Sequence, residues 1–309
     1  MRNSFIDAIE RFATPETIVM TGDLGFGVLD GYRRKFPKQF INAGVAEQNL
    51  TGMAAGLALE GKKVFTYSIA NFNTLRAVEQ IRNDIAYHNL NVVIVAVGGG
   101  LAYGALGITH HATEDIAILR AIPNLKVIAP GDTRETFEIT RRLLSENYGP
   151  VYLRLGRAGE ATLHTDSSIR NLEIGRILPL INNKGSKIAI LSTGGMLEIS
   201  KKIHDELDNI NIRSSVFSVH TLKPLDSDAI FEISEKHDYI FTLEEHSRIG
   251  GLASAISESL IGKNISLSKF TQFALPSEFT SIVGDQDFLR DYYGISAEKI
   301  LRRIKEIVK

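Results

Sequence analysis

The 309-residue sequence has no cysteine and no tryptophan, only 8 prolines and 4 methionines, and no excess of either charge, with 35 Lys and Arg against 36 Asp and Glu. Without cysteine there is no disulfide, no thiolate nucleophile and no Cys-ligated metal, which fits a cytoplasmic protein. A net charge of −1 supplies no basic field to draw nucleic acid or an anionic membrane. The pairs Arg33-Arg34 and Arg141-Arg142 read as solvated faces. Apolar runs such as that at 92–97 fall far short of the ~20 residues a spanning helix needs. The opening MRNSFIDAIERF mixes charged and apolar groups at helical spacing instead of forming a signal peptide. What remains, 44% hydrophobic and 23% charged, can bury two compact cores.

Short β-branched runs alternate with longer segments of helical period, the pattern of parallel strands joined by helical crossovers. Strands are expected at 17–21, 63–67, 91–97, 125–129 and 151–155, with helices at 47–60, 73–88, 113–121 and 132–146. The last has a written start, since Pro130-Gly131 ends the strand, Asp132 can cap and Glu135 stands three residues later. Residues 160–186 turn polar and irregular. A second series follows, with strands at 188–192, 214–218, 239–243 and 266–270 and helices at 196–207, 226–235, 251–260 and 297–308. The expected fold is therefore α/β, two consecutive three-layer domains with mainly parallel sheets, at 1–160 and 186–309 with a linker at 161–185.

The most informative stretch is FINAGVAEQNLTGMAAGLALEG at 40–61. Its single early carboxylate, Glu47, opens a helix otherwise rich in Ala, Gly, Leu and Met, where a second backbone can approach and exclude water. A carboxyl there can have a raised pKa. By itself the position equally suits an acid that complements the helix dipole and faces solvent.

This segment resembles the GIAEQ region in the pyrimidine-binding domain of transketolases and deoxyxylulose-phosphate synthases. The likeness continues in order through Thr109-His110-His111, AIPNLKVIAPGD at 121–132, HTLKPLD at 220–226 and EEHSRIGG at 244–251. The resemblance covers nearly the whole chain and corresponds to the C-terminal half of a full-length transketolase. It implies thiamine diphosphate chemistry: the glutamate matching Glu47 hydrogen-bonds N1′ of the aminopyrimidine, and the 4′ nitrogen then removes the thiazolium C2 proton. The cofactor carries the hard step of two-carbon ketol transfer and the protein orients it. Burial of Glu47 against an apolar shell is expected to favour the protonated carboxyl.

The same resemblance places Ile69, Phe72 and Leu75 on the pyrimidine slot, Phe72 at the stacking ring, and counts Asp23 on the cofactor side. His110 matches the histidine facing the substrate, while His111 stands at what is usually a glutamine position. Arg157 and Arg2 match arginines that hold a substrate phosphate. His204 and His237 sit among charged helix residues and read as solvated, and His220 and His246 as packing residues. Three positions depart from the family: Gly27 for a serine, Gly98 for a histidine and Leu106 for an aspartate, so a different substrate is expected. The glycines at 98–100 are expected to make room for a bulkier acceptor.

The family's Gly-Asp-Gly followed by Asn, which holds Mg²⁺ and the diphosphate, is missing. The resemblance therefore implies a partner chain, an N-terminal transketolase subunit supplying the metal ligands, in an α2β2 heterotetramer. No metal ligand is expected on this chain. Two other functions stay open, the β subunit of a 2-oxoacid dehydrogenase and a non-catalytic regulatory subunit. The motifs Ala46-Glu47-Gln48 and Thr109-His110-His111 favour transketolase over the former, and the presence of Glu47 favours catalysis over the latter.

Overall fold

The computed structural model describes every residue except Asn264, Leu267, Ser268 and Lys309. The first half of the chain builds a sheet from β1 (Thr17–Thr21), β2 (Phe40–Asn42), β3 (Lys63–Ile69), β4 (Val92–Val97), β5 (Lys126–Ile128) and β6 (Val151–Leu155). All six are parallel, in the order β5-β6-β4-β3-β1-β2. Strands covered on both faces read as unbroken apolar runs, and β4, VVIVAV, is buried at every position. Its side chains still alternate. Val93, Val95 and Val97 meet one core with α1 (Arg2–Phe12), α2 (Asp30–Lys35) and α7 (Thr133–Ser145). Val92, Ile94 and Ala96 meet another with α3 (Glu47–Leu59) and α6 (Asp115–Arg120). This is the expected three-layer arrangement.

The second sheet is formed by β7 (Leu178–Ile181), β8 (Ile188–Ser192), β9 (Ser214–Ser218), β11 (Tyr239–Ser247) and β12 (Phe270–Leu275), in the order β12-β11-β8-β9-β7. Only β7 is antiparallel. Its helices are α8 (Met196–Asp208), α9 (Ser227–Lys236), α10 (Leu252–Leu260), α11 (Gln286–Tyr292) and α12 (Ala297–Ile307). Two features depart from expectation. β7 lies inside the segment expected to be a linker, and β10 (Thr221–Lys223) leaves the second half to pair antiparallel with β5, completing a seven-stranded first sheet. One apolar core runs continuously from α3 and β4 through β10 to α9 and α10.

The helix expected at 73–88 is broken into α4 (Ala70–Thr74), a 3₁₀ turn, α5 (Val78–Gln80) and a π turn at Ile81–Ala86. The reason is polar. Buried Asn73 donates Nδ2 to Thr66 Oγ1 and to the Val95 carbonyl, both at 3.2 Å, and Thr74 Oγ1 donates to the Ala70 carbonyl at 2.6 Å. Such side-chain bonds compete with the regular helical ladder. The strand expected at 266–270 falls partly outside the described residues, and the observed one begins at Phe270. His204 and His237, expected in solvent, are buried, with Nδ1 on Ser214 Oγ and on the Ile233 carbonyl, both at 2.8 Å. His204 takes its partner from β9, and His237, just past the end of α9, takes a carbonyl of that helix's last turn; neither contact is visible in a helical charge pattern.

Candidate functional site

Because the strands are parallel, the loops at their carboxyl ends gather along one edge, where α/β sheets place ligands. Asp23 follows β1, Glu47 follows β2, Ile69, Phe72 and Leu75 follow β3, Gly98, Leu106 and His110 follow β4, and Arg157 follows β6. Arg2 joins them from the start of α1.

Glu47 is the first residue of α3 and is 5% exposed. Leu50, Ala54 and Ala55 anchor the helix to the core, and truncating Leu50 to alanine is worth about 2–5 kcal/mol. The opposite face carries Gly52, Met53, Gly56 and Leu59, and a Cβ added at either glycine meets nothing within 4 Å. The shell around Glu47 is not purely apolar as expected: Arg76 donates Nη1 to Glu47 Oε1 at 3.2 Å. The same guanidinium lies over the Phe72 ring, 4.0 Å from its centroid. A flat, nitrogen-rich donor thus fits against both Phe72 and Glu47. Ile69 is half-buried nearby in sequence and Leu75 is exposed. Asp23 is exposed and backbone-strained at φ 59°, and it exchanges two 3.0 Å hydrogen bonds with Asn42.

The loop after β4 is pinched at its base by a Gly100–Ala112 bridge. It carries His110, whose Nδ1 is 3.0 Å from Thr109 Oγ1 and whose ring meets Phe72 edge-on at 5.0 Å between centroids. Asn71 of α4 donates Nδ2 to the carbonyls on either side, Thr109 at 3.0 Å and His111 at 3.1 Å, tying this turn to the Phe72 segment. His111 is buried against the Gly104 carbonyl, and burial lowers its pKa. Leu106 is exposed, as are Phe26 and Val45.

The glycines at 98–100 do not open space for an acceptor. A Cβ at Gly98 would overlap the Tyr103 ring, one at Gly99 would lie 2.6 Å from Arg154 Nε, and one at Gly100 would overlap Glu245 Oε1. The protein's own side chains fill the room. Gly27, by contrast, faces open space. Arg157 is exposed with its guanidinium 5.7 Å from the Tyr103 centroid, and Arg2 keeps a buried Nε without a hydrogen-bond partner. Burial raises the Tyr103 pKa, while Arg2 and Arg157 pull it down. Tyr103, Arg157, Arg2 and Leu106 line a cleft of about 830 Å³ between the two halves.

Sequence reasoning missed the clamp beneath this cleft. Glu245 on β11 accepts from Leu101 N at 2.6 Å and Gln286 Nε2 at 2.8 Å and pairs with Arg290. Buried Arg154 donates Nε to Asp115 at 2.7 Å and Nη2 to the Ala112 and Glu245 carbonyls. Glu244 caps α10 through Leu252 N at 2.6 Å. The EEHSRIGG segment at 244–251 is therefore a joint between halves. The sequence carries it as the EEHSRIGG likeness, whose two acids fall within β11. Among the described residues no group of three or more His, Cys, Asp or Glu is placed to hold a metal ion, and no helix is long and apolar enough to cross a membrane.

Residues 2–159 match the model of the transketolase pyrimidine-binding domain and residues 180–300 that of the transketolase C-terminal domain. The chain belongs to the transketolase family. It is 38% identical over 278 residues to a putative transketolase C-terminal section of Methanocaldococcus jannaschii, covering 90% of this chain and 85% of that protein. It is 33% identical over 311 residues to an apulose-4-phosphate transketolase subunit of Phocaeicola vulgatus, covering 100% and 97%. Among solved structures, a split-gene transketolase described as an inactive beta4 tetramer superposes with a TM-score of 0.86 at 32% identity, covering 99% of this chain and 97% of that one. The chain covers 85–97% of the length of these relatives.

Proposed function

We propose that this chain is the pyrimidine-binding subunit of a two-chain, thiamine diphosphate-dependent transketolase that moves a two-carbon ketol unit to an anionic sugar acceptor in the cytoplasm. The observation that carries the reading is the Glu47–Arg76–Phe72 stack. The planar guanidinium between a buried carboxylate and an aromatic face marks a slot with the shape of a flat nitrogen ring, in which Glu47 can donate to N1′ when protonated or accept from N1′–H of the imino tautomer when ionised. When bound, thiamine diphosphate supplies the electron sink that lets a ketose C–C bond break.

The roles of this chain's residues follow. Glu47 holds or moves the proton at the pyrimidine N1′ atom, and Phe72 supports the ring face with Ile69 and Leu75 at its rim. Asp23, locked to Asn42, shapes the neighbouring loop. His110, held by Asn71 and edge-on to Phe72, stands where it can exchange protons with reacting hydroxyls. Arg157 and Arg2 hold the substrate anion. The diphosphate and Mg²⁺ belong to the partner, since the Gly-Asp-Gly ligand set is not in this sequence.

The small-residue face of α3 and the exposed Phe26 and Val45 beside it are surfaces for that partner, in an α2β2 assembly. The related tetramer described as inactive supports the need for a second chain. We place the pyrimidine-binding domain at 1–160 and start the C-terminal domain at β7. Reconstitution tests the proposal. The isolated chain should bind thiamine diphosphate weakly and give no ketol transfer, and adding a diphosphate-binding chain should restore both, read by calorimetry and by NMR of C2 proton exchange. Full activity of the isolated chain would refute it.

A further inference from the structure

We infer that Tyr103 is a specificity-determining residue: its ring lies under the Arg157 guanidinium and positions it, in the cleft that Arg2 also lines, to select an acceptor bearing a tetrahedral oxyanion. The inference rests on the transketolase reading and adds to it the residue that sets the anion preference. Gly98 is required twice over. Its φ of +81° disfavours any side chain, and a Cβ there would overlap Tyr103 Cε2. The backbone after β4 has therefore been shaped around this ring, and Tyr103 occupies the space that a side chain at 98 would take.

The ring has a distinct neighbour on each side. Toward the cofactor end it meets His110 edge-on, 6.4 Å between centroids. Toward the other it lies under the Arg157 guanidinium at 5.7 Å, and Arg2 lines the same cleft. Glu47, Phe72, His110, Tyr103 and Arg157 thus form one continuous chain of contacts, with Arg76 as the first link. It runs from the pyrimidine slot to the pair of arginines.

Charge decides the ligand class. Within the cleft, Arg154 is neutralised by Asp115, Arg290 by Glu245 and Lys202 by Glu198. Asp285 is engaged as the cap of α11, accepting from Phe288 N at 2.8 Å. Among the described residues Arg2 and Arg157 enter no ion pair, and the buried Arg2 Nε has no hydrogen-bond partner. Two guanidinium groups that line the cleft without an ion-pair partner match the three acceptor oxygens of a phosphate or sulfonate. An aromatic face under one of them holds it in place by cation–π attraction without neutralising it, as a carboxylate would.

The test uses the chain reconstituted with its diphosphate-binding partner, hydroxypyruvate as donor, and D-ribose 5-phosphate against D-ribose as acceptors. Tyr103→Val should lower the ratio of kcat/KM for the phosphorylated over the plain sugar by roughly tenfold, through KM, and Tyr103→Phe by about twofold or less. C2 proton exchange of the bound cofactor should stay at the wild-type rate in both. Replacing the phosphate probe by 5-deoxy-5-sulfo-ribose distinguishes the two oxyanion sources. Equal losses for both sugars, or a fall in kcat with KM unchanged, would overturn the role of Tyr103. A wild-type complex that exchanges C2 but shows no preference for the phosphorylated sugar would overturn the oxyanion assignment. Absence of C2 exchange in the wild-type complex would instead sink the transketolase reading itself.

Discussion

Glu47 and Glu135 look alike in the sequence and are treated oppositely by the fold. Each is an acid in the first turn of a 13-residue helix, and each is buried. Glu47 faces the open edge of the sheet, where the half-exposed guanidinium of Arg76 is its partner. Glu135 is sealed between the halves, accepting from Gly131 N at 2.6 Å beside Asp132, with Oε1 3.6 Å from His164 Nδ1. Desolvation pushes its pKa to about 7. Glu135, which the sequence offers as the second half of a capping box, is thus a carboxyl raised by burial. What separates the two is whether tertiary structure sets a movable cation or a closed polar cluster across from the carboxyl. Only the first can be exchanged for a ligand.

The largest effect should come from breaking the Glu47 side of this comparison. Glu47→Gln should fold and assemble yet lose turnover by roughly 10²–10⁴-fold, the range for a lost proton-transfer group. NMR of C2 proton exchange in the reconstituted complex reads it directly, and wild-type exchange in the variant would remove Glu47 from the proton path. Glu135→Gln should leave C2 exchange nearly intact.

Glu135→Gln should instead change the pH dependence of stability. A carboxyl whose folded pKa of about 7 lies above its ordinary value of 4.5 contributes stability that is full below the lower value. That contribution is lost as pH rises through the higher one. An amide is neutral throughout, so the variant should gain on wild type between these limits, by roughly 3 kcal/mol at most. His220, lowered to about 3 by burial, works in the opposite sense and loses stability as pH falls from its ordinary value toward that one. Urea unfolding across this range would show it. Parallel curves would mean that Glu135 does not titrate in the fold.

The smallest effect belongs to Arg76, which sharpens the comparison by testing whether the cation opposite Glu47 is displaceable. Arg76→Met keeps an unbranched apolar stem, shorter than that of arginine, and removes the charge. It should shift the affinity of the reconstituted complex for thiamine diphosphate by about three- to tenfold, the scale of one exposed charge-assisted contact. Calorimetry at two salt concentrations checks it. Unchanged affinity would mean that Arg76 lies outside the cofactor's path.

Much of the architecture was legible because buried parallel strands write themselves as apolar runs: the strands at 17–21, 151–155, 188–192 and 214–218 appear at those bounds. The Asp132 cap was legible as well, and its Oδ1 accepts from Glu135 N at 2.7 Å. What escaped was short or paired at a distance. β10 has three residues, too few for periodicity to register, and exists only because β5 offers it an edge. Tyr103 escaped because nothing local says that its ring fills the space above Gly98.

The two α/β halves and the family were legible in the sequence, and Glu47, Phe72, His110 and Arg157 stood out in it as candidates, because local period and ordered motifs are properties of neighbouring residues. Tertiary structure alone decided what each of them faces: Arg76 across from Glu47, Tyr103 between His110 and Arg157, and Glu245 joining Leu101 to Arg290. The partners share no pattern in the chain, lying 29 residues apart for Arg76 and Glu47 and 144 for Leu101 and Glu245. The energy of such a contact depends on burial and orientation, which the chain acquires only when its two sheets close on one another.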